Sequence, residues 1–154
     1  VFRLRGEIES GAALAYVITQ VASGILAAFA VHLMFDLPIL QVADTPRTGI
    51  GQWAGEVVAT FGLILTILAT LRARPDAVPI SVALYIFAAC WFTSSTSFAN
   101  PAITIARSFT DTFTGIAPAD IPAFVIAQIA GALLAMGVAA VLFAGRGEGA
   151  GEAA

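Results

Sequence analysis

The sequence has no lysine, one cysteine, one histidine and seven arginines against ten carboxylates, so charged residues make up 11% of its 154 positions. Soluble domains average about 25%. So few and such scattered cations form no basic patch for nucleic acid, and the net charge of -3 says little about any partner. The lone Cys90 excludes an intramolecular disulfide, gives no redox-compartment signal, and inside an apolar run reads as a soft filler. With His32 alone, and no cysteine or carboxylate at ligand spacing, there is no donor set for a metal. His32 reads as an interfacial side chain. No nucleophile with a base and no phosphate loop suggests an enzyme, and no cofactor is implied. No signal peptide opens the chain, and Val1 stands where an initiator Met is expected, so the sequence reads as starting inside a longer protein.

What the chain has is apolar length. Hydrophobic residues make up 59% of it, and its mean hydropathy is +0.93. Four runs, Ala12–Phe35, Trp53–Leu71, Ala77–Phe92 and Ile121–Ala144, are near or above the ~17 to 25 residues that cross ~30 Å of hydrocarbon as a helix. The third is slightly short unless Thr93 to Ser95 extend it. This predicts an all-α membrane domain over residues 1–144, with four spans in lipid and a disordered polar tail at 145–154. Arg3 and Arg5 precede the first run, Arg72 and Arg74 separate the second from the third, and Arg146 follows the fourth. All five fall on one side, which the positive-inside rule makes cytoplasmic together with the C-terminus. Arg47, in the loop 36–51, and Arg107 fall on the other side.

Sliding the chain against itself by 108 residues brings Ala15–Ala28 opposite Ala123–Met136 with seven of fourteen positions identical, including Gln20 and Gln128. By the arginine count these two runs cross in opposite directions, and related segments of opposite direction mark an inverted-topology repeat. Both copies carry small residues at every fourth position: Thr19, Ser23 and Ala27 in one, Ala127, Gly131, Ala135 and Ala139 in the other. Gly51, Gly55 and Ala59 repeat the device on the second run. Such stripes let helix backbones approach closely in lipid, and the two glutamines are expected to hydrogen-bond across helices.

Between the third and fourth runs lies Thr93-Ser-Ser-Thr-Ser-Phe-Ala-Asn-Pro-Ala-Ile-Thr-Ile-Ala-Arg-Ser-Phe109, polar at first and too short to cross. Asn100 is a favoured N-cap and Pro101 suits the first helical position, which predicts a half-helix of about two turns starting at Ala102. Broken helices point to a conduction or binding site near the bilayer centre. Irregular backbone such as Ser94 to Ala99 is tolerated at that depth only if it is buried in protein or lines a wet cavity, where its carbonyls replace a solute's water hydrogen bonds.

Asn100-Pro101-Ala102 after a polar loop, Glu56 within the preceding outward-to-inward run, and the inverted repeat together closely resemble the second half of an aquaporin (major intrinsic protein). The resemblance covers everything before Gly145 and matches the four runs to family helices three to six. It implies an aquaporin-like inverted-repeat bundle in which two Asn-Pro-Ala half-helices meet at the midplane, orient the permeant and oppose cations and protons. By the repeat offset, the partner asparagine would lie about eight residues before Val1. Val1 to Arg5 would then end the first half-helix, and the chain would lack helices one and two.

The same resemblance assigns the site. Asn100 is a pore donor, Thr96, Ser97 and Phe98 offer pore-lining carbonyls, and Glu56 is a scaffold accepting hydrogen bonds from loop N–H groups around Thr96 to Ala99. The narrow filter falls on Ala88, Ser97 and Ile103, with one further residue on a helix outside the chain. Ala88 fits the wide, glycerol-conducting kind. Ile103 departs from the family pattern, which places an arginine there, so the filter should be broad and greasy. Arg107, one turn further along, supplies either a displaced positive barrier or an ion pair with Asp111. The implied function is passive conduction of a small neutral solute: water, glycerol or a related polyol, or undissociated metalloid acids. Asn-Pro-Ala-Ile-Thr-Ile-Ala-Arg is similar to a bacterial subgroup associated with arsenic resistance. Family habit implies a homotetramer in the inner cell membrane. An ion-coupled transporter with broken helices is the alternative, for which Glu56 is the one obvious coupling group.

Overall fold

The computed structural model describes residues 1–144, so Arg146 and the expected tail at 145–154 lie outside the described residues. Among the described residues five α-helices follow in order: α1 Ser10–Met34, α2 Ile50–Ala73, α3 Val78–Phe92, α4 Pro101–Arg107 and α5 Ile121–Phe143. Short 3-10 turns at Pro75–Ala77 and Pro118–Asp120 lead into α3 and α5. There is no strand among the described residues, and the chain is an integral, multi-pass, all-helical membrane protein. Counting each 3-10 turn with the helix it opens, Ser10–Met34, Ile50–Ala73, Pro75–Phe92 and Pro118–Phe143 are long and apolar enough to cross a bilayer. The third reaches its 18 residues through Pro75 at its start, and not through Thr93 to Ser95 as the sequence suggested. Thr93 has already turned to extended backbone (φ -106°, ψ 150°).

The ends of the helices group as the arginines require. Arg5 and Glu7 gather with Leu71 and Arg72 of α2 and Phe143 of α5 at one end, where the Arg72 guanidinium lies 5.5 Å from the Phe143 ring centroid. At the opposite end the loop after α1 is sewn to the loop after α4: Ala43 N–H donates to Ser108 O (2.9 Å) and Ala117 N–H to Thr45 O (2.8 Å). His32 is part of this seam. It is fully buried, with Nδ1 2.9 Å from Ile39 O and Nε2 2.9 Å from Thr110 Oγ1. The interfacial placement expected from its position in the run is therefore wrong, because loop 36–49 folds back over it.

The small-residue stripes divide their work. On α5 the expected ladder holds: Ala127, Gly131, Ala135 and Ala139 are all buried. Gly131 faces the Val57 carbonyl and the Phe61 N–H of α2, so a side chain there would meet backbone. On α1, Thr19, Ser23 and Ala27 are exposed, and the close approach is made instead by Gly24, against Ala106 and the Ala102 carbonyl of α4. On α2, Gly55 makes room for a loop and not a helix, since the Ser94 and Ser95 side chains lie against it. Cys90 is exposed and not a core filler. Much of α1 likewise turns large side chains such as Leu14, Tyr16 and Leu26 outward, which lipid or neighbouring helices tolerate at no cost in apolar contact.

Helix α4 spans seven residues, about 10 Å at an α-helical rise, and lies beside the middle of α1 through Gly24. Its far end runs out to the Ser108 to Thr110 seam. It therefore enters the bundle without traversing it.

Candidate functional site

The loop that delivers the chain to α4 is held in an unusual backbone. Thr96 (φ 65°), Ser97 (φ 52°) and Ala99 (φ 48°) all sit in the left-handed region without being glycine. Each such residue costs of order 1 kcal/mol and persists only where its surroundings fix it. Glu56, fully buried on α2, does much of the fixing. Its Oε1 accepts from Phe98 N–H (2.9 Å), and its Oε2 accepts from Ala99 N–H (2.9 Å) and from Gln128 Nε2 of α5 (2.6 Å). A buried carboxylate is tolerable only when its lone pairs are filled by such donors.

The network continues into α4. Gln128 Nε2 also donates to Thr104 Oγ1 (2.8 Å), and Thr104 Oγ1 donates to the Asn100 carbonyl (3.0 Å). The Asn100 side chain caps the helix, its Oδ1 accepting from Ala102 N–H at 2.8 Å, which leaves its amide N–H groups free to donate elsewhere. One buried chain of hydrogen bonds thus joins α2, α5, α4 and the loop. Of the two repeat-related glutamines, only Gln128 bonds across helices; Gln20 is exposed on α1.

The N–H groups of Ser97, Phe98 and Ala99 are taken, and of the loop carbonyls Ser95 O accepts from Thr96 Oγ1 and Arg47 Nη1 while others are left over. Among the described residues Thr96 O meets only the Cys90 thiol, at 3.9 Å, and no N–H or O–H donates to Ser97 O or Phe98 O. Ser97 itself is buried, donates from Oγ to Ala89 O (2.7 Å) and lies against Thr93 Oγ1. It is thereby tied to the last turn of α3 one residue beyond Ala88, which is exposed on that helix.

Ile103 and Arg107 share one face of α4, and both line a cleft of about 220 Å³ against Gly24, Ala27 and Val31 of α1. Ile103 is 38% exposed there. Arg107 donates from Nη1 to Thr114 Oγ1 (2.7 Å). The alternative ion pair with Asp111 does not form, because α4 ends at Arg107 and Asp111 has left the helical spacing that would bring the two together. Asp111 N–H instead bonds Gln41 Oε1.

Arg47 is the residue that sequence reasoning placed only as an outer-loop charge. It is 5% exposed. Nε donates to Gly115 O (2.6 Å), Nη2 to Phe113 O (2.9 Å) and Nη1 to Ser95 O (3.3 Å), while its backbone N–H donates to Asp120 Oδ2 (2.7 Å). The guanidinium carbon lies 5.1 Å from the Phe98 ring centroid. Burial lowers its proton affinity below the usual arginine range, Glu56 opposes that and Arg107 adds to it; an arginine so perturbed still carries its charge.

The aquaglyceroporin AqpS of Rhizobium meliloti (strain 1021) is 55% identical to this chain over 136 residues, which cover 88% of the chain. The chain belongs to the aquaporin family. The matched stretch spans 58% of the relative's length. No family profile matches this aquaporin sequence, and no solved structure matches it. The aquaporin assignment therefore stands on that relative and on the all-helical fold described above.

Proposed function

We propose that the protein is a passive, bidirectional channel for small neutral solutes, namely water, glycerol and similar polyols, with undissociated metalloid acids admitted by a wide filter. The observation that carries this is the division of the loop backbone: Glu56 takes the Phe98 and Ala99 N–H groups while the carbonyls of Thr96, Ser97 and Phe98 receive no conventional donor. A row of fixed, unpaired carbonyls at membrane depth replaces water around a hydroxylated solute and has no use in a closed helix bundle. Asn100 adds amide donors beside them, with Pro101 and Ala102 opening the short helix whose positive end opposes cations. Ala88, Ser97 and Ile103 form the filter in this reading, and Arg107 stands outside Ile103 as a displaced positive barrier. The name of the relative, an aquaglyceroporin, supports a polyol path.

Glu56 serves as scaffold and not as an ion-coupling group, since both carboxylate oxygens are occupied by N–H donors. We place the protein as a homotetramer in the inner cell membrane with the arginine-bearing ends inside. The test is stopped-flow light scattering on reconstituted vesicles under a glycerol gradient. Flux that is linear in glycerol concentration and indifferent to ion gradients is expected; flux that saturates and follows an imposed ion gradient would replace the channel with a coupled transporter.

A further inference from the structure

We infer that Arg47 is a positioning residue that sets solute specificity: its guanidinium fork fixes the outer side of the Ser95–Phe98 segment and so the spacing of the carbonyls that a solute meets. The inference rests on the channel reading above and adds to it a residue on a different loop, 36–49.

Arginine in a loop between spans is ordinarily solvated; this one is buried, and its donors are spent on carbonyls of two separate loops, Ser95 on one side and Phe113 and Gly115 on the other. Its charge is not there for an ion pair. The carboxylate beside it, Asp120, accepts the Arg47 backbone N–H, and the ion pair seen among the described residues is elsewhere, between Arg5 and Glu7. What the site uses is the rigid, planar spread of five donors, which no other side chain supplies.

The consequence for the solute path follows through two contacts. Ser95 Oγ accepts the Ser97 N–H (3.2 Å), so a shift of Ser95 moves the filter serine two residues on. The guanidinium also lies over the Phe98 ring, while the backbone N–H of the same residue is held by Glu56. The three carbonyls therefore lie in a segment held both by a donor-only cation and by an acceptor-only anion. Releasing either clamp changes their spacing.

The experiment compares Arg47→Lys and Phe98→Leu with the parent in reconstituted vesicles, measuring water, glycerol and erythritol permeability. Lysine keeps the charge but concentrates its donors at one point, which cannot span carbonyls on two loops. The glycerol-to-erythritol permeability ratio is expected to move about fivefold or more in Arg47→Lys, about 1 kcal/mol in relative barrier height. In Phe98→Leu it is expected to move in the same direction by less. A parental ratio in Arg47→Lys, whether because charge alone suffices or because all three fluxes fall by one common factor, overturns the inference. If Arg47→Lys yields no folded protein, the Phe98→Leu ratio decides: shifted supports the clamp, unchanged overturns it. A parent that conducts none of the three solutes refutes the channel itself, which is a separate result.

Discussion

Replacing Glu56 by glutamine changes one oxygen to an NH2 group and leaves the shape alone, so it isolates what the carboxylate does. In the parent, Phe98 N–H, Ala99 N–H and Gln128 Nε2 converge on the two oxygens. Glutamine has one acceptor oxygen. The better of its two orientations keeps that oxygen on Ala99 and Gln128 and turns the NH2 toward the Phe98 N–H, donor against donor. Hydrogen bonds to charged groups contribute about 1.5–3 kcal/mol each, and a buried donor left unmet costs a similar amount. The loop then has less to hold Thr96, Ser97 and Ala99 at positive φ, so part of that strain is relieved by movement of the segment itself. The expected loss is about 2–4 kcal/mol, partly recovered by relaxation. At roughly 2–4 °C per kcal/mol for a domain of this size, the midpoint of thermal unfolding in detergent should fall by about 5–15 °C. Glycerol flux per folded channel should fall with it, because the Thr96 to Phe98 carbonyls no longer have fixed positions. Glu56→Asp keeps the charge but withdraws it by one methylene, and should behave nearer to the glutamine variant than to the parent. A glutamine variant that melts within about 2 °C of the parent and conducts equally would remove Glu56 from any part in holding the loop.

Gly131→Ala should destabilise the α2 and α5 pair by about 1–3 kcal/mol, because the added methyl meets the Val57 carbonyl and Phe61 N–H of backbone that cannot rotate away; a parental melting curve would show that the two helices separate freely. Ile103→Arg places a guanidinium in the α4 cleft and should lower glycerol permeability about tenfold while sparing water, read from the two stopped-flow rates on one preparation; equal scaling of both rates would argue that Ile103 does not face the path. Arg107→Ala should raise proton leak in pH-jump experiments on vesicles with solute flux retained, and unchanged leak with unchanged flux would remove the barrier role.

The four spans and the broken helix were legible in the sequence because each rests on a local signal: apolar length, and a cap followed by proline. Boundaries moved by one to three residues, most at α2, which runs Ile50–Ala73 where hydropathy suggested Trp53–Leu71; at α3 Pro75 opens a turn that the hydropathy of Ala77 onward does not announce. Glu56 stood out because a carboxylate in a span is expensive. Its loop partners came from the family resemblance, and Gln128 was expected to bond across helices; that Gln128 would meet Glu56, with Thr104 beside it, shows only once α4 and α5 pack together. His32 was misplaced, and the burial of Arg47 in its loop went unseen, for one shared reason. Both are buried by loops 36–49 and 108–117 folding against each other, and loop-on-loop contact leaves no periodicity in a sequence. Gly24 escaped the small-residue ladder because α1 presents to α4 a different face from the one that the repeat with α5 suggested.

A non-helical segment at membrane depth must satisfy its donors while leaving some acceptors open, and the two charges beside this one divide that task by what each can do. A carboxylate accepts only, so Glu56 takes the N–H groups of Phe98 and Ala99. A guanidinium donates only, so Arg47 takes carbonyls, and those it takes are Ser95, Phe113 and Gly115. Thr96, Ser97 and Phe98 lie between the two claims, and their carbonyls are among those left over. Exchanging the charges would set donors against the Phe98 and Ala99 N–H groups and a carboxylate against the Ser95, Phe113 and Gly115 carbonyls, so the segment could not keep its present backbone. On this reasoning the sign and position of Glu56 and Arg47, more than the identity of the side chains at Thr96 to Phe98, determine which atoms of the backbone a solute can reach.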